Sequence, residues 1–550
     1  MKPTSNQKRN TMSTILSRIV SSGFVLSSTM SLHADDPVPL ITLNPLSTFQ
    51  KGDPAEIFDE SAAEIVKYDP VSKRLFIVNG YDDSIDIVNI QDVTSPELVS
   101  SIDVSSTGSP NSVDVNPRPN SNQIAIAIAN DDPTQRGKVA FYTTDGDLLS
   151  DVEVGFLPDM LTYNKQGNRV LVANEGEPND DYTVDPEGSI SIITRVNSNP
   201  RVKELGFNSL TDEQLAGVRI TGKDGVTLTP GQDIEPEFIS VGPGGKYAYV
   251  TLQENNAVAK INVWRGTIEN IFPLGSVDHS KFGYALDASN KDDAIRLANW
   301  PVNGLPMPDA IATYRAANKK VYFLTANEGD GREREVEIDG EDVLVYSDET
   351  RVKDVLLDPI SFPLAEQLQD QANLGRLKVV ATEGNYDDDE EIEELFSFGT
   401  RSFSIYDSEG NLVYDSGSDF ETIIADRLPA DFGSTNDENG SFDDRSDDKG
   451  PEPEAIEVGK INGRCYAFIG LERIGGVMIY DITDPYEVMF IDYVNNRDFS
   501  GDAAAGTAGD LGPEGIIFIP ARKSPNGENL LVVANEVSGT TTIYEIVPQN

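Results

Sequence analysis

Cysteine and histidine are scarce in this sequence. Cys465 is the one cysteine among 550 residues, and two histidines are present. A single cysteine excludes an intramolecular disulfide and a cysteine-based zinc site, and His279 alone beyond the N-terminal region excludes a histidine cluster for zinc or di-iron. Any site chemistry must therefore use carboxylates, amides, hydroxyls or arginines.

Basic residues are also few, with 43 Lys and Arg against 92 Asp and Glu and a formal net charge of −49. Such a charge repels polyanions at long range and attracts metal cations, which argues against nucleic acid and anionic membranes as partners. Outside residues 1–34, no apolar run approaches the roughly 18 residues that a membrane-spanning helix needs. We therefore expect an acidic globular protein without a transmembrane anchor.

Residues 1–34 resemble a secretory signal peptide. Basic residues precede the first acid, Asp35, and an apolar stretch leads into a cleavage position after Ala34, although Arg18 interrupts that stretch. The alternative is a disordered basic tail. The C-terminal sequence IYEIVPQN contains no apolar anchor, so we expect a secreted protein located in the extracellular space or the periplasm.

One sequence repeat occurs seven times along the chain. It consists of an acidic or polar residue, an alternating strand, a turn, and a second strand rich in Val and Ala. The equivalent positions are Glu64, Ser112, Asp159, Glu237, Asp309, Glu454 and Glu514. The shortest steps, 47 and 48 residues, fit the period of a four-stranded propeller blade. The sequence predicts an all-β protein, a seven-bladed β-propeller of the WD40/YVTN type with acidic insertions on one face. We expect residues 35–550 to form a single domain with insertions near 195–230, 276–305, 331–375 and 421–450.

Acids recur at the start of the first strand and the end of the second strand of each repeat, and in a blade these two points share one face. Carboxylates therefore gather at one mouth of the central channel. The predicted metal ligands there are Asp159, Glu175, Glu237, Glu254, Asp309, Glu328, Glu454, Glu472, Glu514 and Glu536, with Glu64 at the equivalent place in the first repeat. Oxygen-only ligation suits calcium (Ca²⁺), or another divalent cation such as magnesium. The alternative is structural, with the acids capping turns and joining blades through backbone amides.

Residues 436–454 form the densest acidic segment. The predicted metal ligands in this segment are Asp443, Asp447, Asp448 and Glu452. The segment lacks the Gly and Glu positions of an EF-hand, so the prediction is an irregular calcium loop that feeds the channel. The alternative is a solvated loop held by Arg445 and Lys449. The run around Asp387–Asp389 is expected to be a solvated stretch of charge.

Motifs of nucleophilic catalysis are missing, since the sequence has no GxSxG, P-loop or HExxH pattern. His279 lies in the polar stretch VDHSKFGYALD, where we expect a surface residue, and Cys465 lies in an apolar strand, where we expect burial. Metal-assisted hydrolysis stays open. A carboxylate-bound metal could activate water, and Arg401 or Arg473 could bind an anionic substrate such as a phosphorylated small molecule.

A long stretch, LPDMLTYNKQGNRVLVANEGEPNDDYTVDPEGSISII, is similar to the choice-of-anchor I family. Further agreement lies in DIEPEFISV, MPDAIATY, LFSFGTRSFSIYD and SFDDRSDDKGPEPEAIEVGKINGRCYAFIGLER, and it covers about residues 40–546. The family includes the mesenchyme-specific cell surface glycoproteins of biomineralising animals and secreted bacterial proteins, some labelled alkaline-phosphatase-like. The resemblance implies an extracellular propeller with a link to calcium and mineral. In contrast to the family pattern, we expect no C-terminal anchor here, and the YDDDEEIEE run replaces a more regular loop.

Two functions remain open from the sequence. The first is a secreted calcium-binding propeller that acts as a cell-surface or extracellular-matrix interaction protein, with matrix or surface components as partners. The alternative is an enzyme, a metal-dependent phosphomonoesterase with its site at the acidic channel mouth.

Overall fold

Strands dominate the structure, a computed structural model that describes residues 41–222, 228–338, 341–387 and 389–548. The predicted leader at residues 1–34 lies outside the described residues. The helices within them are short: α1 (Pro230–Asp233), α2 (Ala365–Leu368), α3 (Asp419–Arg427) and a 3-10 turn at Val352–Asp354. No helix in this part of the chain combines the length and apolar character needed to cross a bilayer.

The first described strand, β1 (Ile41–Gln50), is followed by four antiparallel four-stranded sheets, blades 1 to 4. Blade 1 contains β2 (Val66–Asp69), β3 (Arg74–Asn79), β4 (Ser84–Asn89) and β5 (Glu97–Asp103). Blade 2 contains β6 (Ser109–Val115), β7 (Ile124–Ala129), β8 (Arg136–Tyr142) and β9 (Leu148–Phe156). Blade 3 contains β10 (Pro158–Tyr163), β11 (Arg169–Asn174), β12 (Ser189–Thr194) and β13 (Arg201–Gly206). Blade 4 contains β14 (Pro236–Val241), β15 (Tyr247–Leu252), β16 (Ala257–Asn262) and β17 (Thr267–Pro273).

Blade 5 is interrupted by a long insertion. Two short strands, β18 (Val277–Asp278) and β19 (Asn303–Leu305), precede its first two strands, β20 (Ile311–Arg315) and β21 (Val321–Asn327). The insertion then contributes β22 (Glu333–Ile338), β23 (Glu341–Ser347), β24 (Glu349–Arg351), β25 (Lys378–Val380) and β26 (Phe396–Phe398). Blade 5 resumes with β27 (Ser402–Asp407) and β28 (Leu412–Asp415). Trp300, Leu374 and Leu377 belong to a separate small core in this region.

Blades 6 and 7 complete a ring. Blade 6 contains β29 (Pro453–Ile461), β30 (Arg464–Leu471), β31 (Val477–Asp481) and β32 (Met489–Val494). Blade 7 contains β33 (Pro513–Ile519), β34 (Leu530–Asn535) and β35 (Thr540–Pro548), and β1 pairs with β35 as its fourth strand. The first strands of successive blades are in contact, including those of blades 7 and 1. The ring is thus closed by a strand from the other end of the described chain.

Burial follows strand order within each blade. All six residues of β7, IAIAIA, are buried, whereas β5 is exposed at every position but one. Second strands are covered on both faces by neighbouring blades, so their sequences are continuous apolar runs rather than alternating ones. The core therefore consists of layers between blades, and the first strands remain to line the central axis.

The prediction of an all-β propeller is confirmed, and seven four-stranded sheets are present in the described residues. Part of the interval 195–230, expected to be an insertion, is instead β13, which pairs with β12. A polar sequence, RVKELG, conceals this strand because the outermost position of a blade is largely exposed.

Leu43 lies in β1, is 5% exposed and packs in the core between blades 6 and 7. We expect Leu43→Ala to lower the free energy of unfolding by about 2–4 kcal/mol, because it removes buried methyl groups and leaves a cavity. Denaturant unfolding would measure the loss. The matched control is Leu98→Ala in β5, where the side chain is 43% exposed and the expected change is within about 0.5 kcal/mol. Equal effects at the two sites would contradict the role of β1 in closing the ring.

Candidate metal centre at the acidic mouth of the channel

The seven equivalent positions found in the sequence meet around one cavity of about 100 Å³ on the ring axis. We call its six acids the inner ring: Glu64, Asp159, Glu237, Asp309, Glu454 and Glu514. Ser112 occupies the seventh position, where its hydroxyl accepts a hydrogen bond from the Leu161 amide (3.2 Å). The structure therefore brings together the acids that the sequence placed at the start of each first strand.

A shared backbone device aims the inner ring into the cavity. In blades 3, 4, 6 and 7 the first strand begins with a proline, the acid follows it, and the pairing with the second strand then shifts by one residue. Such a bulge redirects a side chain, and proline is tolerated because the innermost strand is an edge strand whose outer side faces the channel. The repeated Pro-acid pair is thus the sequence signature of a side chain that points at the axis.

The backbone is strained immediately before several of these Pro-acid pairs. Leu157, Met307 and Glu452, which each precede a Pro-acid pair, have positive φ angles of 41°, 40° and 49°. Bulky residues rarely adopt this left-handed region, and each instance costs on the order of 1–3 kcal/mol. The same strain at equivalent points of three blades indicates that the surrounding structure holds the acids in place.

The inner ring has no counter-charge within the described part of the chain. None of its six carboxylates forms an ion pair or a side-chain hydrogen bond there. Glu237 is 7% exposed, and the Oε2 atoms of Glu454 and Glu514 are buried without a hydrogen-bond partner. Buried polar atoms are nearly always satisfied in folded proteins, so these oxygens are available to a ligand.

Burial raises the pKa of every inner-ring acid, and repulsion by neighbouring acids raises it further. The pKa of Asp159 is raised to about 7, by burial first and then by Glu177. Burial raises the pKa of Glu514 well above its ordinary value, and the charges of Glu64 and Glu536 add to the effect. Carboxylates in this situation must take up protons or bind cations.

A second set of predicted ligands lies at the ends of the second strands, and it divides into two groups. Glu175 and Glu254 resemble the inner ring, because burial raises their pKa values strongly, and Oε2 of Glu254 is buried and unpartnered. The other three have partners. Glu328 accepts from Lys449 (2.9 Å), Glu472 pairs with Arg473 (3.0 Å), and Glu536 accepts from the Ser61 hydroxyl (2.5 Å).

Three of the four predicted ligands in the acidic segment 436–454 pair with basic side chains, namely Asp447, Asp448 and Glu452. Asp447 pairs with Arg351 (2.6 Å) and Arg376 (2.7 Å), and Asp448 pairs with Lys378 (3.2 Å) and Arg445 (3.1 Å). These contacts agree with the alternative of a loop held by basic residues. The predicted metal-binding role of Asp447 and Asp448 stays a prediction, and Oδ1 of Asp448 is buried without a hydrogen-bond partner.

Glu452 and Asp443 in the same segment differ from each other. Burial alone would raise the pKa of Glu452, but Lys449, Arg445 and Arg473 lower it below its ordinary value. Oxygen atoms of Glu328, Glu452 and Glu472 lie within 4.8 Å of one another, yet these three cations already occupy the cluster. Asp443 accepts from Ser446 (2.6 Å) through Oδ1, whereas its Oδ2 is buried without a partner, and burial raises its pKa to about 7.

The two arginines predicted to bind an anionic substrate are engaged elsewhere. Arg401 is 4% exposed, and its terminal nitrogens donate to the carbonyls of Asp287, Ser446 and Asp448 and to Glu421. Arg473 donates to Glu452 (2.9 Å) and Asn436 (3.1 Å). Both residues therefore support the acidic segment, and the phosphoesterase alternative gains no anion-binding geometry from them.

His279 is buried rather than at the surface, with 3% of its area exposed. Its Nδ1 lies 2.8 Å from the Tyr284 carbonyl, and burial lowers its pKa to about 4. The polar sequence around it misled the prediction, because the insertion folds over it. Cys465 is buried, as expected. Asp387 and Asp389 are exposed and form an acidic cluster with the half-buried Glu393, and Asp388 lies outside the described residues.

Sequence reasoning missed the buried ion pairs that surround the mouth. Arg332 pairs with Glu235 (3.0 Å) and Asp233 (3.5 Å), and Arg219 pairs with Asp348 (2.5 Å). The segment DIEPE carries the only local signal, since its three acids stand at alternate positions. Their basic partners are distant in sequence and could not be assigned to them.

Known proteins resemble this chain in sequence over much of its length. A family model described as the choice-of-anchor I domain matches residues 64–485. The mesenchyme-specific cell surface glycoprotein of Strongylocentrotus purpuratus is 32% identical over 52% of the chain and 41% of that protein. Gigasin-3a of Magallana gigas is 31% identical over 32% of the chain and 66% of that protein. The chain thus spans less than two thirds of either relative's length.

Solved structures include a similar chain, the WD40 domain of Neurospora crassa Pan2, with 9% identity, a TM-score of 0.44 and coverage of 93% of this chain and 97% of that one. The propeller assignment comes from the strand pairing described above and does not depend on this likeness.

The raised pKa values predict a pH dependence of the metal-free protein. The folded state holds more protons than the unfolded chain between about pH 4, the ordinary carboxyl value, and about 7, the value for Asp159. The stability associated with these protons is therefore lost as the pH rises through that window. We expect the Tm in a chelator to fall from pH 5 to pH 8, and to fall less in Asp159→Asn.

The control for this measurement is Asp92→Asn. Asp92 is exposed, and its hydrogen bonds with Thr94 lower its pKa, so this substitution leaves the slope between pH 5 and pH 8 unchanged. A slope identical in wild type and Asp159→Asn would contradict the assignment.

Proposed function

The chain belongs to the choice-of-anchor I family, and from that premise we propose that it is a secreted β-propeller that binds calcium at the inner ring and acts in interactions at a cell surface or in an extracellular matrix. The observation that carries the calcium proposal is the unpaired inner ring itself. Six carboxylates face one cavity of about 100 Å³, and no basic side chain of the described residues pairs with them.

Calcium suits this geometry for three reasons. It takes six to eight oxygen ligands in flexible arrangements, whereas magnesium demands a near-ideal octahedron and retains its water. The inner ring supplies oxygen alone. The cavity volume of about 100 Å³ also leaves room for an ion with a few water molecules, since a water molecule occupies about 30 Å³. Water can complete the coordination where a carboxylate does not reach.

The repulsion among the inner-ring carboxylates favours a divalent cation together with protons on the acids that do not bind it. Two carboxylates about 4 Å apart repel by about 4 kcal/mol at an effective dielectric of 20. A divalent cation at the axis attracts several carboxylates at once and so offsets the repulsion among them. The remaining acids keep protons at neutral pH, which agrees with the pKa of about 7 for Asp159.

The extracellular part of the proposal rests on different support. One relative is named a cell surface glycoprotein, and residues 1–34 have the pattern of a signal peptide. A net charge of −49 keeps a protein soluble and attracts cations. Propeller faces present loops around a rigid ring, which suits a protein that binds partners.

The test is calcium titration of the metal-free protein by calorimetry, with elemental analysis of the protein as purified. We expect bound calcium after purification, and a Tm that rises with added calcium, because a ligand that binds the folded state stabilises it. Glu237→Gln combined with Glu454→Gln should weaken calcium binding at least about tenfold, a loss of about 1.4 kcal/mol. The same variant should be at least as stable as wild type without metal, since it removes repulsion.

The matched control is Asp387→Asn combined with Asp389→Asn, which removes two exposed acids of another cluster and should leave the calcium affinity of the inner ring unchanged. Absence of metal together with no effect of calcium on the Tm would overturn the proposal. Equal affinity in the Glu237/Glu454 variant would place the ion elsewhere.

A further inference from the structure

A second cavity, of about 470 Å³, opens between blades 4 and 5. It lies at the far ends of the first strands, next to Gly242 and Arg315, whereas Glu237 and Asp309 of the inner ring lie at or just before the beginnings of the same strands. We call it the blade 4–5 cleft. Its size is within the range of small-molecule sites, about 300–1,000 Å³.

Positive charge is concentrated in the cleft, against the charge of the chain as a whole. Four basic residues line it, Lys246, Lys260, Arg315 and Lys320, together with two acids, Asp407 and Glu409. Over the whole sequence acids outnumber bases 92 to 43. Lys246, Arg315 and Lys320 form no ion pair with a carboxylate of the described residues. The local field therefore favours an anion.

Aromatic rings hold two of these cations in position. The Lys246 ammonium donates to the Tyr247 hydroxyl (2.6 Å) and lies 4.4 Å from the centre of that ring, and the Lys260 ammonium lies 5.0 Å from the same centre. Lys260 is 7% exposed and also donates to the Ser408 carbonyl (2.6 Å) and to Glu409 (3.0 Å). Cation–π contacts of this kind fix flexible side chains before a ligand arrives, which lowers the entropic cost of binding.

Hydrogen-bond acceptors accompany the cations. The Glu409 side chain is 71% exposed beside Lys260, and a carboxylate accepts from hydroxyl groups. Tyr486, 63% exposed, presents an open ring at the edge of the cleft. A ligand that satisfies the whole lining carries one anionic group, several hydroxyl donors and a ring with an apolar face.

We propose that the blade 4–5 cleft binds an acidic sugar, a hexose unit that bears a carboxylate or a sulfate. Arg315 and Lys320 bind the anionic group, Glu409 accepts from ring hydroxyls, and Tyr486 covers the ring. The ligand is short, because a charge of −49 repels a long polyanion, whereas the cations of the cleft dominate within a screening length of about 8 Å.

Ligand-observed NMR and calorimetry with the full chain test this proposal, using D-glucuronate, D-glucose 6-sulfate, D-glucose and sodium sulfate. We expect at least one of the two acidic sugars to bind, and to bind at least about tenfold more tightly than glucose. Their relative affinities distinguish a carboxylate site from a sulfate site. Inorganic sulfate that binds as tightly as either sugar would overturn the sugar assignment, as would the absence of binding by both.

Variants locate the site. Arg315→Gln and Lys320→Gln change exposed side chains, so both should fold, and each should weaken the sugar at least about tenfold. The matched control is Arg265→Gln, whose side chain is 76% exposed and does not line the cleft. Unchanged affinity in both cleft variants would overturn the assignment. Titrations in calcium and in chelator should agree, because the cleft is separate from the inner ring, so this proposal can fail or hold independently of the calcium proposal.

Discussion

Repulsion among six carboxylates on one axis is the constraint to which the rest of this structure responds. A propeller places equivalent residues of every blade at the same distance from the axis, so a Pro-acid pair that recurs in the sequence becomes a ring of charge. Each blade alone would tolerate its acid at the solvent edge. Closure of the ring, completed by β1 pairing with β35, brings these charges close enough to repel one another.

The protein neutralises the surroundings of this ring and leaves its centre unpaired. Lys449 pairs with Glu328, Asp330 and Glu452, and Arg332 pairs with Asp233 and Glu235. Buried pairs of this kind do little more than offset their own desolvation, so they prevent further destabilisation rather than add stability. At the axis the chain accepts both repulsion and strained backbone at Leu157 and Met307. Backbone strain and unpaired buried charge that recur at equivalent points of several repeats are characteristic of a functional site.

Sequence periodicity was sufficient to predict the propeller and the inner ring, because both depend on residues close together in the chain. The Pro-acid pair and the apolar second strand are local patterns, and ring closure follows from their number. The ion pairs that neutralise other acids around the channel mouth could not be predicted in this way. Lys449 and Glu328 are 121 positions apart, and Arg332 and Glu235 are 97 apart. His279 was misplaced for the same reason, since the insertion that buries it packs through contacts absent from its own segment.

In blades 4 and 5 the two ends of the first strands carry opposite charge, and this arrangement has a physical logic. Glu237 lies near the start of β14, and Lys246 follows the turn at its end. Six residues of strand span about 20 Å, which exceeds the screening length of about 8 Å at physiological salt. The anion proposed for the blade 4–5 cleft would therefore be shielded from repulsion by the inner ring, and the cation proposed for the inner ring would be shielded from repulsion by the cleft. The strand thus separates an acidic cluster from a basic one, so that neither cluster reduces the attraction of the other for its proposed ligand.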